Sequence, residues 1–480
     1  MNNAYPEYKS VNQKWAKEIP SHWRMERLKL VFGLRKETNN PVITDNILSL
    51  TAKQGVIPYA EKEGVGGNKP KADLTKYNIC REGDLLVNNM NVVSGAAGVS
   101  RYTGCVSPVY YPLVLRHEDN VWYYHYIFRL VTFQRSLIGL GKGILMHESD
   151  NGTLTSVRMR ISMDYLGNVL LPVPPRAEQD QIVRFLDWKV SEINKLIRIK
   201  REQIKGYTEY EKKVINDKIL HGLRNETLKE SGDQWLGKIP ISWKVIKLGR
   251  FCSFQNGISE SGDFFTSGTP FVGYGDVYRH LELPETVNGV AKANKQQQEM
   301  FSVHKGDIFF TRTSENIEEI GMAAVCNHTI EKAVFSGFLI RCRPRLQIIN
   351  MDFMKYYLQI PAVRNHFSSM MNIVIRASLG QNLLKQMPVV VPSLEEQKEI
   401  AIYLDSLHEK FTRLIDATQK EISTMMELKN RLISDVVTGK IDVRDIAVPE
   451  YEHVDDIADD DSDVDEESEE NETETNGEEA

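Results

Sequence analysis

This chain repeats itself, and the repeat limits its fold more than any local propensity does. Residues 9–28 are echoed by residues 229–248. Trp15 matches Trp235 at an offset of 220, Ile19-Pro20-x-x-Trp23 matches Ile239-Pro240-x-x-Trp243, and Leu28 matches Leu248. Four of the six tryptophans fall in this one element, so chance is a poor explanation of the spacing. Further on, Gly83-Asp84-Leu85-Leu86-Val87 is echoed by Gly306-Asp307-Ile308-Phe309-Phe310. Both read as a turn entering a buried strand, and each is followed by a polar stretch, 88–94 and 311–316. A third echo is the longest. Pro174-x-x-x-Glu178-Gln179-x-x-Ile182-x-x-x-Leu186-Asp187 recurs at an offset of 218 as Pro392-x-x-x-Glu396-Gln397-x-x-Ile400-x-x-x-Leu404-Asp405.

The segments after the third echo carry helical periodicity. Ile182, Leu186, Val190, Ile193, Ile197, Ile204, Tyr207 and Val214 recur at steps of three and four, interrupted by Lys200 and Glu211. Ile400, Leu404, Leu407, Phe411, Ile415, Ile422, Met425, Leu428, Leu432 and Val436 do the same. That spacing belongs to a helix seam facing another helix. Pro174 and Pro175 stop the first helix from extending backwards, Ser393-x-x-Glu396 reads as a capping box, and Gly222 and Gly439 sit where a left-handed cap wants glycine. Each rod of about 45 residues spans ~67 Å. A lone amphipathic rod exposes its stripe, so the two are expected to pair, running antiparallel about a pseudo-two-fold with a head at either end. The expected fold is two mixed α/β heads joined by two long antiparallel coiled-coil helices. The expected divisions are a first head at 1–175, a helical region at 176–224, a second head at 225–392, a second helical region at 393–446, and a disordered acidic tail at 447–480.

Charge needs the same division. The net charge is −7, but 17 acidic residues and no lysine or arginine lie after residue 448. The rest of the chain keeps 49 of the 66 acids against all 59 bases, or +10, which suits a polyanionic partner. The five cysteines are scattered and odd in number, against a disulfide framework or a zinc site. No apolar run nears the ~20 residues of a membrane span, and no signal-peptide pattern opens the chain, so a cytoplasmic protein is expected.

The duplicated motifs and their order resemble the specificity subunit of type I restriction-modification systems. The resemblance rests on Ile19-Pro20-x-His22-Trp23, Ile239-Pro240-x-x-Trp243, the Gly-Asp strands, the Pro-x-x-x-Glu-Gln-x-x-Ile helix starts and the ending Val437-Thr438-Gly439-Lys440-Ile441. It covers residues 5 to 446. It implies two target-recognition domains, each reading one half of a split, asymmetric site on double-stranded DNA. It also implies that the helices dock methyltransferase (M) subunits, two of them, which bind S-adenosylmethionine and methylate adenine. Restriction (R) subunits using ATP and Mg would add translocation and cleavage. No cofactor or catalytic residue is expected in this chain. The acidic tail departs from the family pattern and reads as a solubility tail or as a DNA mimic competing for the basic heads.

The residues agree with a non-catalytic role. There is no Gly-x-x-x-x-Gly-Lys-Ser/Thr loop: Gly139-x-Gly141-Lys142-Gly143 lacks the spacing. Pro174-Pro175 lies in no methyltransferase motif, and His147-Glu148 has no second histidine. Candidate DNA contacts in the first head are Asn88, Asn89, Asn91, Ser94 and Arg101, with Arg312, Thr313, Ser314 and Asn316 as their counterparts in the second. Asparagine pairs with adenine and arginine with guanine in the major groove; satisfying local turns is the plain alternative for the asparagines. Lys142, Arg158, Arg160, Arg376 and Ser378, ahead of the rods, are candidates for phosphate contact, with salt bridges as the alternative for the arginines. Lys69 and Lys71 offer another phosphate loop. The tryptophans read as anchors of each head on the rods. The competing readings are a rod-shaped protein scaffold without nucleic acid and a self-sufficient nuclease.

Overall fold

A computed structural model describes residues 4–51, 55–62, 70–144, 158–260, 262–314, 320–369 and 377–455. The chain divides into two units, Met1–Glu202 with Gln419–Ala480, and Gln203–Thr418. Each unit therefore takes one head, part of the first long helix and part of the second.

In the first unit, strands β1 (Phe32–Leu34), β2 (Leu85–Asn88), β3 (Ala97–Val99) and β4 (Tyr110–Leu115) form an antiparallel sheet in the order β1-β4-β2-β3. The continuous apolar run of β2 has a physical cause. Leu85 and Val87 face the main core, while Leu86 faces a second cluster of Leu48, Val56, Cys80 and Val106. A strand covered on both faces has no polar positions to alternate. Helices α1 (Val121–Phe128), capped by Asn120, and α2 (Val131–Ser136) follow, and then the 46-residue α3 (Arg176–His221).

The second unit repeats this plan. Strands β5 (Cys252–Asn256), β6 (Ile308–Thr311), β7 (Ala323–Val325) and β8 (Leu339–Pro344) pair antiparallel in the order β5-β8-β6-β7. Ile308 and Phe310 face one core and Phe309 another. Helices α4 (Met351–Tyr357), capped by Asn350, and α5 (Pro361–Ser369) precede the 44-residue α6 (Leu394–Val437).

The two long helices pack together, and within each unit the pairing is antiparallel. In the first, Ile182, Leu186 and Val190 share a core with Ile433, Val436 and Val437, and Lys200 pairs with Glu421 at 2.6 Å. In the second, Ile219 and Leu220 share a core with Ile400 and Leu404, and His408 lies 2.7 Å from Glu211. Leu428 departs from the expected seam: it is 57% exposed.

The helix ends follow the sequence signals with one change. Gly222 (φ 76°) and Gly439 (φ 74°) adopt the left-handed conformation. Any side chain at Gly439 would meet Pro20, and one at Gly222 would meet Trp243, so close approach as well as φ demands glycine. Ser393 Oγ accepts the Glu396 amide, but the Glu396 carboxylate turns to Trp243 instead of completing the capping box.

The acidic tail begins later than expected. Residues 447–455, placed by sequence in a disordered tail, lie along α3. Ser191 Oγ accepts the Val454 amide, Asn194 Nδ2 donates to the carbonyls of Val454 and Asp455, and Lys195 pairs with Glu452. Val454 is buried, and composition had hidden this apolar anchor among acids. Residues 456–480 lie outside the described residues. No helix among the described residues is long and apolar enough to cross a membrane.

Candidate nucleic-acid interface

Each head is bolted to the helices by the repeated motifs. Trp23 Nε1 donates to Glu178 at 3.0 Å, and Trp243 Nε1 donates to Glu396 at 3.1 Å. Gln179 donates to the Pro174 carbonyl and accepts the Asn120 amide at the start of α1; Gln397 does the same with Pro392 and Asn350 at the start of α4. Asp187 and Asp405 accept the hydroxyls of Tyr126 and Tyr356. Every residue of the Glu-Gln…Leu-Asp motif thus has a structural partner, and Trp23 and Trp243 are the tryptophans that anchor the heads on the helices. Glu178 is the more heavily bonded of the two glutamates: Tyr5 also donates to it, and His22 Nε2 lies 2.9 Å away. Burial and the Glu178 carboxylate together push the Tyr5 hydroxyl well above its usual pKa.

The Gly-Asp element is a second bolt. Asp84 is buried and receives a two-pronged contact from Arg35, 2.7 Å on each oxygen. Asp307 is buried and receives Arg343 at 2.6 and 2.7 Å. Its hydrogen bond to Asp84 raises the Arg35 pKa, against some loss from burial. Such forked pairs fix orientation as well as charge. They hold the start of the central strand, whose far end carries the candidate contacts.

At that far end the candidates from distant sequence come together. In the first head the carbonyls of Asn89 and Met90 accept the amides of Ile161 and Met159, beside the strand Arg158–Arg160, which pairs in turn with Lys142–Ile144. In the second head the Arg312 carbonyl accepts the Leu379 amide, and Thr313–Ser314 pairs with Ala377–Ser378. Ile161 and Leu379 stand at the same offset of 218 as the helix motifs, so Asn89 and Arg312 occupy equivalent places.

The individual side chains differ in availability. Asn91 and Arg160 are exposed, while Arg312 and Thr313 are half-buried. Asn88 Oδ1 accepts the Met90 amide, a turn-stabilising role. Asn89, expected as a loop contact, is buried, and its Oδ1 has no partner. Thr311 Oγ1, beside Arg312, is a second buried oxygen without a partner. Ser94 ends a 3-10 turn before Gly95, whose φ is 81°. Arg101 is not brought to this edge: its guanidinium lies 5.7 Å from the Trp122 ring centroid, and its charge is felt by Asp187 of α3. Lys142, Arg158, Ser314 and Ser378 are placed through their strands alone, and Asn316, Arg376 and Lys69 lie outside the described residues. Sequence reasoning missed Arg364 on α5, which donates to the carbonyls of Ile320 and Gly321 beside this edge. Among the described residues no group of three or more His, Cys, Asp or Glu is arranged to hold a metal.

Two similar α/β heads are each seated on paired long helices and each present a polar strand edge. The type I restriction modification DNA specificity domain matches residues 240–424. Over 91% of its length the chain is 24% identical to the putative type I restriction enzyme MjaX specificity subunit of Methanocaldococcus jannaschii, covering 98% of that protein. The MjaVIII specificity subunit of the same organism is 24% identical over 288 residues, and the EcoBI specificity subunit of Escherichia coli is 25% identical over 299. In those two, the match spans 64% and 61% of the relative's length. A solved chain of a type I restriction-modification system shares the fold, with a TM-score of 0.62 and 15% identity over 87% of this chain and 98% of that one. The chain is thus similar, over most of its length, to specificity subunits of type I restriction-modification systems.

Proposed function

We propose that each head reads one half of a bipartite, asymmetric DNA site, and that the chain directs partner subunits to that site without chemistry of its own. One observation carries this reading: equivalent strands, each entered from a buried aspartate clamped by an arginine, present different side chains at their far ends. The first head offers Asn91 and Arg160, the second Arg312 and Thr313. Equal frames with unequal edges suit two half-sites of unequal sequence. Amide and guanidinium groups carry the donor patterns that distinguish adenine and guanine in the major groove, while cations beside them position the backbone.

The long helices, α3 and α6, set the gap between half-sites about a pseudo-two-fold and dock two methyltransferase subunits. Apolar side chains left open on them, Leu196, Ile199, Ile402 and Leu414, support a docking role. S-adenosylmethionine, ATP and Mg belong to the methyltransferase and restriction subunits, and the assembly works in the cytoplasm.

A duplex of randomised sequence, incubated with the chain and its methyltransferase subunits, tests the reading. Sequencing the retained duplexes is expected to give two short specified blocks around a fixed unspecified gap. Retention without any sequence preference, or no retention at low salt where phosphate contacts are strongest, contradicts it.

A further inference from the structure

Arg364 is half-buried on α5, and its guanidinium spends its hydrogen bonds on main chain. Nη1 donates to the Ile320 carbonyl at 2.9 Å and Nη2 to the Gly321 carbonyl at 2.6 Å, while Nη1 also lies 3.4 Å from Met322 Sδ. Its Nε is sealed from solvent without a partner, and burial pushes its pKa down to about 10. Phe367 lies beneath, 5.6 Å from the guanidinium carbon. A charge held this way gives up hydration for carbonyl contacts, which is poor economy for stability alone.

The first head shows what the place does without an arginine. Tyr126 and Tyr356 bind the equivalent aspartates at an offset of 230, and at that offset Arg364 corresponds to Gln134 of α2. Gln134 lies directly over Gly95, whose φ is 81°, as Arg364 lies by Gly321, whose φ is 65°. The Asn88 amide donates to the Ala96 carbonyl and the Thr311 amide to the Met322 carbonyl, so the segments correspond on both sides. Between them the first head has six residues, 89–94, and the second nine, 312–320. The longer connection is the one that ends on a cation.

We infer that Arg364 is a positioning residue for sequence recognition: by gripping the carbonyls of Ile320 and Gly321 it fixes the strand end that presents Arg312 and Thr313, and so sets the discrimination of the second head. The inference rests on the proposed DNA reading. Met322 is the link, since Arg364 touches its sulfur and its carbonyl accepts the amide of Thr311, the residue before Arg312.

The test is the randomised-duplex selection, run with the complex carrying wild type, Arg364→Gln, Arg364→Lys and Arg312→Ala. Arg312→Ala identifies the half-site read by the second head. Arg364→Gln installs the first head's side chain and is expected to lower base discrimination in that half-site about tenfold, the scale of one lost bidentate contact, with the other half-site unchanged. Arg364→Lys keeps the charge and a donor but not the fork, and is expected to fall between. Equal discrimination in wild type and Arg364→Gln overturns the inference, as does parallel loss in both half-sites. Should Arg364→Gln not assemble, an unchanged second half-site in Arg364→Lys overturns it. A wild-type complex that enriches no split motif removes the DNA reading itself, an outcome distinct from a split motif indifferent to Arg364.

Discussion

The two heads solve one structural problem with different parts. Both bury an aspartate at the entry of the central strand and clamp it with a forked arginine, but Arg35 follows strand β1 whereas Arg343 lies within β8. The carboxylate is the shared element; the cation arrives from whichever neighbouring strand passes by. What the duplication preserves is therefore a set of anchor points, Trp–Glu, Gln–Asn and Tyr–Asp, while the surfaces between them drift. That division suits the proposed function, in which the frame stays constant while the reading edge changes.

The two heads are expected to differ most at the buried aspartates. Asp307→Ala leaves Arg343 without its carboxylate, and unfolding in denaturant is expected to show a loss of about 3–5 kcal/mol. Asp84→Ala is expected to lose less, because Glu37 remains 3.8 Å from Arg35. Equal losses, or the reverse order, would mean that Glu37 does not share the load. Next come the tryptophans. Trp243→Phe removes the indole donor from buried Glu396 and is expected to destabilise by about 1–3 kcal/mol. Trp23→Phe should be milder, since Tyr5 and His22 still attend Glu178. Matching losses would contradict the extra bonding of the first head.

Smaller effects sharpen the difference between the two long helices. Asn194→Ala releases the segment around Val454 from α3 and is expected to lose about 1 kcal/mol. Thr412→Ala, at the equivalent place on α6, is exposed and should change stability by less than about 0.5 kcal/mol. Comparable melting shifts for the two would deny the segment around Val454 a role. Smallest of all, truncation before Asp456 removes 14 acidic residues and no basic ones. Non-specific duplex binding at low salt should tighten modestly, and the gain should fade as salt rises. Identical titration curves would leave the segment no electrostatic role toward DNA.

Much of the frame was legible in sequence because it is periodic or repeated. The helix seams, the terminal glycines and the strands entered from Gly-Asp all announce themselves through spacing. The arginines that clamp Asp84 and Asp307 do not, because they lie 49 residues before one and 36 after the other. Leu428 keeps the seam's rhythm yet faces solvent, since packing rather than period decides burial. Val454 anchors a segment that composition assigns to disorder. At the candidate edge, the hydrogen bonds from Met159 and Ile161 to Met90 and Asn89, and the pairing of 313–314 with 377–378, join residues that sequence had grouped only by chemistry. Asn89 shows the limit: its residue type suits adenine, but its side chain is interior. Arg364 stayed invisible because its counterpart is a glutamine and only the fold aligns them.

On the proposed function, this chain directs modification to a split DNA site. Base-resolved methylation sequencing, comparing cells that carry this gene and its neighbouring methyltransferase gene with cells lacking only this chain, tests it most directly. Methylated adenines are expected in a motif of two short blocks around a fixed gap, lost when the chain is absent. Identical methylomes in both strains, with the chain well expressed, would contradict it.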